Sequence, residues 1–169
     1  MPVSSALVEM FRHNLWANLR LIDTCSTLTD EQLSASVNGT YGPVRDTLLH
    51  MIKSEERYVA LLTGQTPTTS PEPFPGFDQL RERARKSGKA LVSVVQNLDT
   101  ERVLEGTWRG SSYSLPVFVP LIQAINHATE HRSQIATILT QLGLQPPELD
   151  GWAYYDELNR QAAVDLSSS

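Results

Sequence analysis

Four stretches of this chain repeat apolar residues at the period of an α-helix, and that repetition leaves few architectures open. Val8, Phe11, Leu15, Leu19 and Ile22 recur at steps of three and four residues, so they share one helix face. A second helix is predicted from Gly42 and Pro43, a pair that suits a helix start, to about Thr63, where Gly64 stops it. Phe77, Leu80, Ala84, Leu91, Val94 or Val95, and Leu98 form the stripe of a third. A fourth runs from about Pro120 to Gln141, ended by Gly143 with Pro146 and Pro147 beyond. A short turn at Thr29–Ala35, capped by Thr29 or Asp30, and a last short helix at about Gly151–Gln161 complete the set. Leu166 to Ser169 is expected to fray. Residues 104–119 read as a loop or a short hairpin around Trp108 and Tyr113. The prediction is all-α: a four-helix bundle.

Between the second and third stripes, Gln65 to Gly76 holds Pro67, Pro71, Pro73 and Pro75, a density that forbids regular structure. The flanking pieces are too small to be separate domains, so this segment is read as a crossover loop between bundle helices. A length of 169 residues fits one domain spanning the whole chain. The net charge of -5 argues against binding nucleic acid or anionic lipid. The one cysteine, Cys25, cannot form an internal disulfide, and it is read as a packing residue on an apolar arc. The start of the chain lacks the basic and apolar pattern of a signal peptide, and no apolar run approaches roughly 18 residues. A cytoplasmic protein with no membrane span is expected.

The histidines are the chemically informative residues. On the fourth helix Gln123, Asn126, Thr129, Glu130, Ser133, Thr137 and Thr140 form one polar wedge. His127 and His131 lie outside it, among Ala124, Ala128, Ile135 and Ile138, one turn apart on the same face. That spacing lets two imidazoles reach one metal ion, yet a hydrogen-bonded core pair would have the same pattern. Two inward rings need partners if neutral and repel if charged, and a metal resolves both. His50 sits at the edge of the polar wedge of the second helix and can turn inward. His13 shares a polar face with Glu9, Arg12 and Arg20 and is excluded from the site.

The run Asn126-His127-Ala128-Thr129-Glu130-His131-Arg132-Ser133-Gln134-Ile135 resembles the N-H-x-x-x-H-R-G-Q-I signature of the DinB-like, or YfiT-like, metal-binding bundles. Leu48-Leu49-His50-Met51 with Glu55 and Tyr58 is similar to the second-helix histidine segment of that family. Leu15-Trp16-Ala17-Asn18 and Gly151-Trp152-Ala153-Tyr154-Tyr155 resemble its first-helix and C-terminal patterns, in the same order. Ser133 departs from the usual glycine, on the polar face. The resemblance implies that His50, His127 and His131 hold one divalent metal, with water in the open positions, in a bundle that commonly dimerises.

Three neutral ligands leave the full charge on the ion, so it can activate water for hydrolysis or hold a thiol as thiolate. Relatives that use low-molecular-weight thiols make transfer of a thiol to a small electrophile the implied chemistry. Metal-assisted hydrolysis of a small substrate, or non-catalytic binding of a small ligand, are the alternatives. Imidazole suits zinc, nickel or iron. His127 to His131 also spells H-x-x-E-H with Glu130 as base, an inverted zinc-protease motif, but no distal carboxylate ligand or strand edge accompanies it.

Several further expectations concern the core and the surface. Glu55 and Arg132 fall on apolar arcs and are predicted to form a salt bridge between the second and fourth helices, or else to snorkel. Asn14 and Asn18 point inward, toward the site or toward backbone. Trp16 and Leu49 lie on polar faces, where exposed apolar side chains can mark a dimer interface. Trp108 and Tyr113 are candidates for a pocket mouth. Arg81, Arg83, Arg85, Lys86 and Lys89 read as a solvated basic face.

Overall fold

The computed structural model describes residues 5–67, 70–108 and 110–167, with the side chains of all of these except 108 and 165–167. In chain order they form α1 (Ser5–Cys25), α2 (Asp30–Leu33), α3 (Val44–Thr63), α4 (Phe77–Gln96), β1 (Val103–Trp108), β2 (Ser111–Pro116), α5 (Phe118–Gln141) and α6 (Gly151–Ser167). Local chemistry sets most of these bounds. Thr29 caps α2, its hydroxyl accepting from the Gln32 N–H while the Gln32 side chain accepts from the Thr29 N–H. Gly64 ends α3 in the left-handed conformation, φ 72°. α5 begins at Phe118, ahead of Pro120, because a proline in the first turn sacrifices no intrahelical hydrogen bond. α6 outlasts its expected end at Gln161. Asp150 starts it by accepting from the N–H groups of Trp152 and Ala153, and Ala162 and Ala163 carry it on to Ser167. Of the segment expected to fray, Ser168 and Ser169 lie outside the described residues.

Around the bundle the order is α1, α4, α3, α5, each helix packing on the next and α5 closing on α1. Two apolar layers stack along the axis. One holds Leu21, Ile22, Leu48, Ile52, Leu80 and Ile135; the other holds Phe11, Leu62, Leu91, Val95 and Leu121. α3 and α4 therefore run in one direction and α1 and α5 in the other. Parallel neighbours need a long return, and the Pro-rich segment supplies it between α3 and α4. It is tied down along α3 and α4: Lys53 Nζ of α3 donates to the Ser70 carbonyl at 2.7 Å, Glu72 pairs with Arg83 of α4, and Arg45 of α3 lies over the Phe74 ring. The chain between α4 and α5 crosses the bundle as a hairpin, Leu104 opposite Leu115, with Gly110 at φ 82° in its turn.

Gly88 on α4 sets how closely α1 approaches. A Cβ there would lie 2.6 Å from Leu15 Cδ1 and 3.0 Å from Leu15 Cβ. The basic face of α4 is largely solvated as expected, although Arg81 reaches Asp23 on α1 and Arg83 reaches Glu56 on α3. Trp16 and Leu49 are not free apolar surface. Trp16 packs against Tyr154 of α6, with Arg20 over its ring, and Leu49 joins the core, so the dimer-interface reading of these two residues is corrected. Cys25 is fully buried and burial pushes its thiol up to about 12, as a packing residue requires.

Glu55 and Arg132 are also buried, so neither snorkels, but no direct ion pair joins them. That expectation is corrected: Asn14 and Asn18, one turn apart on α1, stand between the charges. Each asparagine accepts from Arg132 Nη1 at 2.7 Å and donates to Glu55 Oε2 at 3.0 Å. Ser87 of α4 donates to Glu55 Oε1 at 2.5 Å. A guanidinium only donates and a carboxylate only accepts, so primary amides, which do both, are the side chains that can relay between them. Burial pushes the Glu55 carboxyl up to about 7, against the opposing pull of Ser87, Asn14 and Arg132. This hub joins all four bundle helices at one level.

Candidate metal centre

Three histidine rings from two facing helices meet at one point. α3 brings His50, and α5 brings His127 and His131 a turn apart. His50 Nε2 lies 3.0 Å from His127 Nε2, which lies 3.2 Å from His131 Nε2, and the ligand atoms of the trio fall within 4.8 Å of one another. Two imidazoles on a tetrahedral ion with bonds of about 2.0–2.1 Å would hold their nitrogens roughly 3.3 Å apart. The His50–His127 and His127–His131 separations fit this value, and the trio as a whole spans no more than 4.8 Å.

Hydrogen bonding around the rings makes the fit more specific. Gln134 Oε1 accepts from the backbone N–H of Tyr41 at 3.1 Å, and the same oxygen lies 2.9 Å from His131 Nδ1. That oxygen can only accept, so Nδ1 of His131 carries the proton and its Nε2 presents a lone pair. His127 Nε2 faces this lone pair and His50 Nε2 at once, and one ring nitrogen cannot make two good hydrogen bonds in those directions. A cation at the centre satisfies all three. Tyr41 packs face to face on His50, ring centroids 4.1 Å apart, and edge-on to His131. Burial pulls the His50 ring down to about 4, helped by the repulsion that a proton shared into the cluster at His131 would add and by the charge of Arg57. His127 is likewise held to about 4 by burial, then by His131 and His50. Both rings are thus neutral, ligand-competent imidazoles at pH 7.

A family model described as the DinB family matches residues 1–161. The chain belongs to the DinB family. The crystal structure of a DinB-like protein from Bacillus cereus ATCC 10987 superimposes with a TM-score of 0.63 at 20% identity, covering 88% of this chain and 99% of that one. At that identity the likeness concerns the fold alone. A search of curated proteins finds no match.

In this DinB family member the histidine set expected from sequence comes together without His13, whose Nε2 lies 2.8 Å from the Leu149 carbonyl at the junction of α1 with α6. Glu130, the would-be protease base, is exposed and lies 3.4 Å from the Gln134 amide nitrogen. No carboxylate joins the three histidines among the described residues. Asn14 and Asn18 serve the Glu55–Arg132 hub and not the metal centre.

A cavity of about 630 Å³ lies along α3 under the hairpin; none of the three histidines lines it. Tyr58 belongs to both, lining the cavity and packing edge-on to His127 at 5.9 Å. Tyr113 lines the cavity as expected, while the Trp108 side chain lies outside the described residues. Sequence reasoning missed Tyr41, Arg57 and the orienting role of Gln134. Gln134 was detectable in principle, three residues from His131 on the same helix; Tyr41, in a loop, was not. No described helix is long and apolar enough to cross a membrane.

Proposed function

We propose that this protein is a metal-dependent enzyme that joins a low-molecular-weight thiol to a small electrophile. The single observation that carries the metal is the convergence of three Nε2 atoms with the His131 proton fixed on Nδ1. A divalent first-row ion held by His50, His127 and His131 would keep its full charge and so favour the thiolate form of a bound thiol at neutral pH. In the transfer the sulfur–carbon bond forms as the carbon–leaving-group bond breaks, and the thiol proton passes to solvent. The chain's own residues orient and shield: Gln134 and Tyr41 fix the rings, and the adjoining cavity offers an apolar chamber for the second reactant.

Among the described residues no carboxylate joins the histidines, which favours thiol transfer over hydrolysis, because a preformed thiolate needs no protein base. Elemental analysis of protein purified without a nickel column tests the first half of the reading. About one equivalent of zinc, nickel or iron per chain is expected, and it should be lost in His131→Ala. Metal-loaded protein is then offered cysteine or coenzyme A with a chloronitrobenzene acceptor. Turnover that vanishes in His131→Ala supports transfer. A wild type that takes up no added zinc, nickel or iron overturns the proposal.

A further inference from the structure

The cavity beside the histidines contains a cation without a counterion. Arg57 lines it from α3 together with Tyr58, and also borders a smaller cavity between α3 and α4. The Arg57 Nε is the one buried side-chain nitrogen or oxygen among the described residues that has no hydrogen-bond partner. Its guanidinium also makes no ion pair among the described residues, although the chain carries more acidic than basic groups. The carboxylates next to it in sequence are committed elsewhere: Glu55 to Asn14, Asn18 and Ser87, and Glu56 to Arg83. Buried polar groups are normally paired, so a buried guanidinium Nε left without a protein acceptor beside a cavity points to an acceptor from outside the chain.

The rest of the lining narrows the ligand. Leu61, Leu104, Leu115, Tyr58 and Tyr113 make most of the wall apolar. A second arginine, Arg102, spends Nη1 on the Leu62 carbonyl at 2.8 Å. Glu105 at the exposed side disfavours a doubly charged anion. One free planar fork, an apolar wall and little excess positive charge match a monocarboxylate better than a phosphate.

We propose that this cavity binds an apolar organic acid, its carboxylate held by Arg57 and its body against the hairpin. Binding itself needs no metal; that the acid is the electrophilic reactant rests on the function proposed above. Tyr58, shared between cavity and His127, would place the far end of such a molecule beside the metal centre.

Calorimetric titration with 4-phenylbutyrate and its uncharged amide, 4-phenylbutyramide, tests this. The acid should bind at least about tenfold more tightly than the amide, as expected for a charge-assisted fork. Arg57→Gln should abolish that preference while leaving the amide's affinity, the thermal midpoint and the metal content unchanged. His131→Ala should leave acid binding intact, which separates capture by Arg57 from direct ligation of a metal. Equal affinities for acid and amide, an unaltered preference in Arg57→Gln, or no binding of either probe would overturn the assignment. Acid binding in a protein that takes up no metal would retain the cavity and remove the enzymatic reading, and metal uptake without acid binding would do the reverse.

Discussion

Nδ1 of His131 donates to Gln134 Oε1 at 2.9 Å, and this one bond decides which nitrogen of the ring faces the other histidines. The partner is fixed in turn by the Tyr41 N–H, which only an oxygen can accept. Removing such an outer partner typically costs about 10–100-fold in metal affinity. Gln134→Ala should therefore weaken zinc binding by that order in a chelator competition, with helix content unchanged. Gln134→Glu, which keeps the acceptor, should restore most of it. An affinity identical to wild type in Gln134→Ala would show that the ring needs no orientation.

The metal-free protein should be acid-sensitive because of His50 and His127. Their folded values lie near 4, below the 6.5 of an unperturbed imidazole, so the unfolded chain takes up protons first. Their contribution is present above about pH 6.5 and is lost as the pH falls toward 4. Thermal midpoints of chelator-treated wild type and His127→Ala, measured between about pH 7.5 and 4.5, should diverge, with the variant declining less steeply. Parallel curves would remove these rings as the cause.

Breaking the buried hub should destabilise strongly. Glu55→Gln keeps the shape but turns an amide N–H₂ toward donors and leaves Arg132 buried without its counter-charge. A loss of about 1–3 kcal/mol is expected by denaturant titration above pH 7, where Glu55 is ionised, the range for leaving a buried hydrogen-bonding group unsatisfied. A loss below about 1 kcal/mol, the scale of an exposed pair, would mean that the asparagines alone satisfy the arginine.

Gly88→Ala adds one methyl group where Leu15 leaves no space. Overpacking costs about 1–3 kcal/mol, and alanine returns roughly 1 kcal/mol of helix propensity, so a net loss of up to about 2 kcal/mol is expected. A variant at least as stable as wild type would show that α1 can shift away freely. The companion change Leu15→Ala removes the 2.6 Å contact with Cδ1 and should relieve most of the clash, and the two substitutions should be non-additive in a double-mutant cycle.

The elements most legible in the sequence were those with local causes. The capping box at Thr29, the Gly64 stop and the apolar stripes are short-range effects, visible in a few neighbouring residues. His127 and His131 were readable as a pair because one helix turn joins them. α6 was read too short because no breaker marks its end, and helix ends without caps leave little trace.

Contacts between distant segments were not legible in the same way. Glu55 and Arg132 were recognisable as buried charges, but the two asparagines between them depend on α1 packing against both partners at one level. Arg57 resembled any charged residue on α3 until the hairpin roofed a cavity beside it and its sequence neighbours Glu55 and Glu56 were engaged by other partners. By itself the sequence determined the helices, their buried faces and the family, because periodicity, caps and motif spacing act within a turn or two of chain. Only the tertiary structure decided how His50 meets the other two rings, which nitrogen each presents and which cation stands unpaired. Those properties arise from groups tens of residues apart, brought together by the order and direction of the bundle helices.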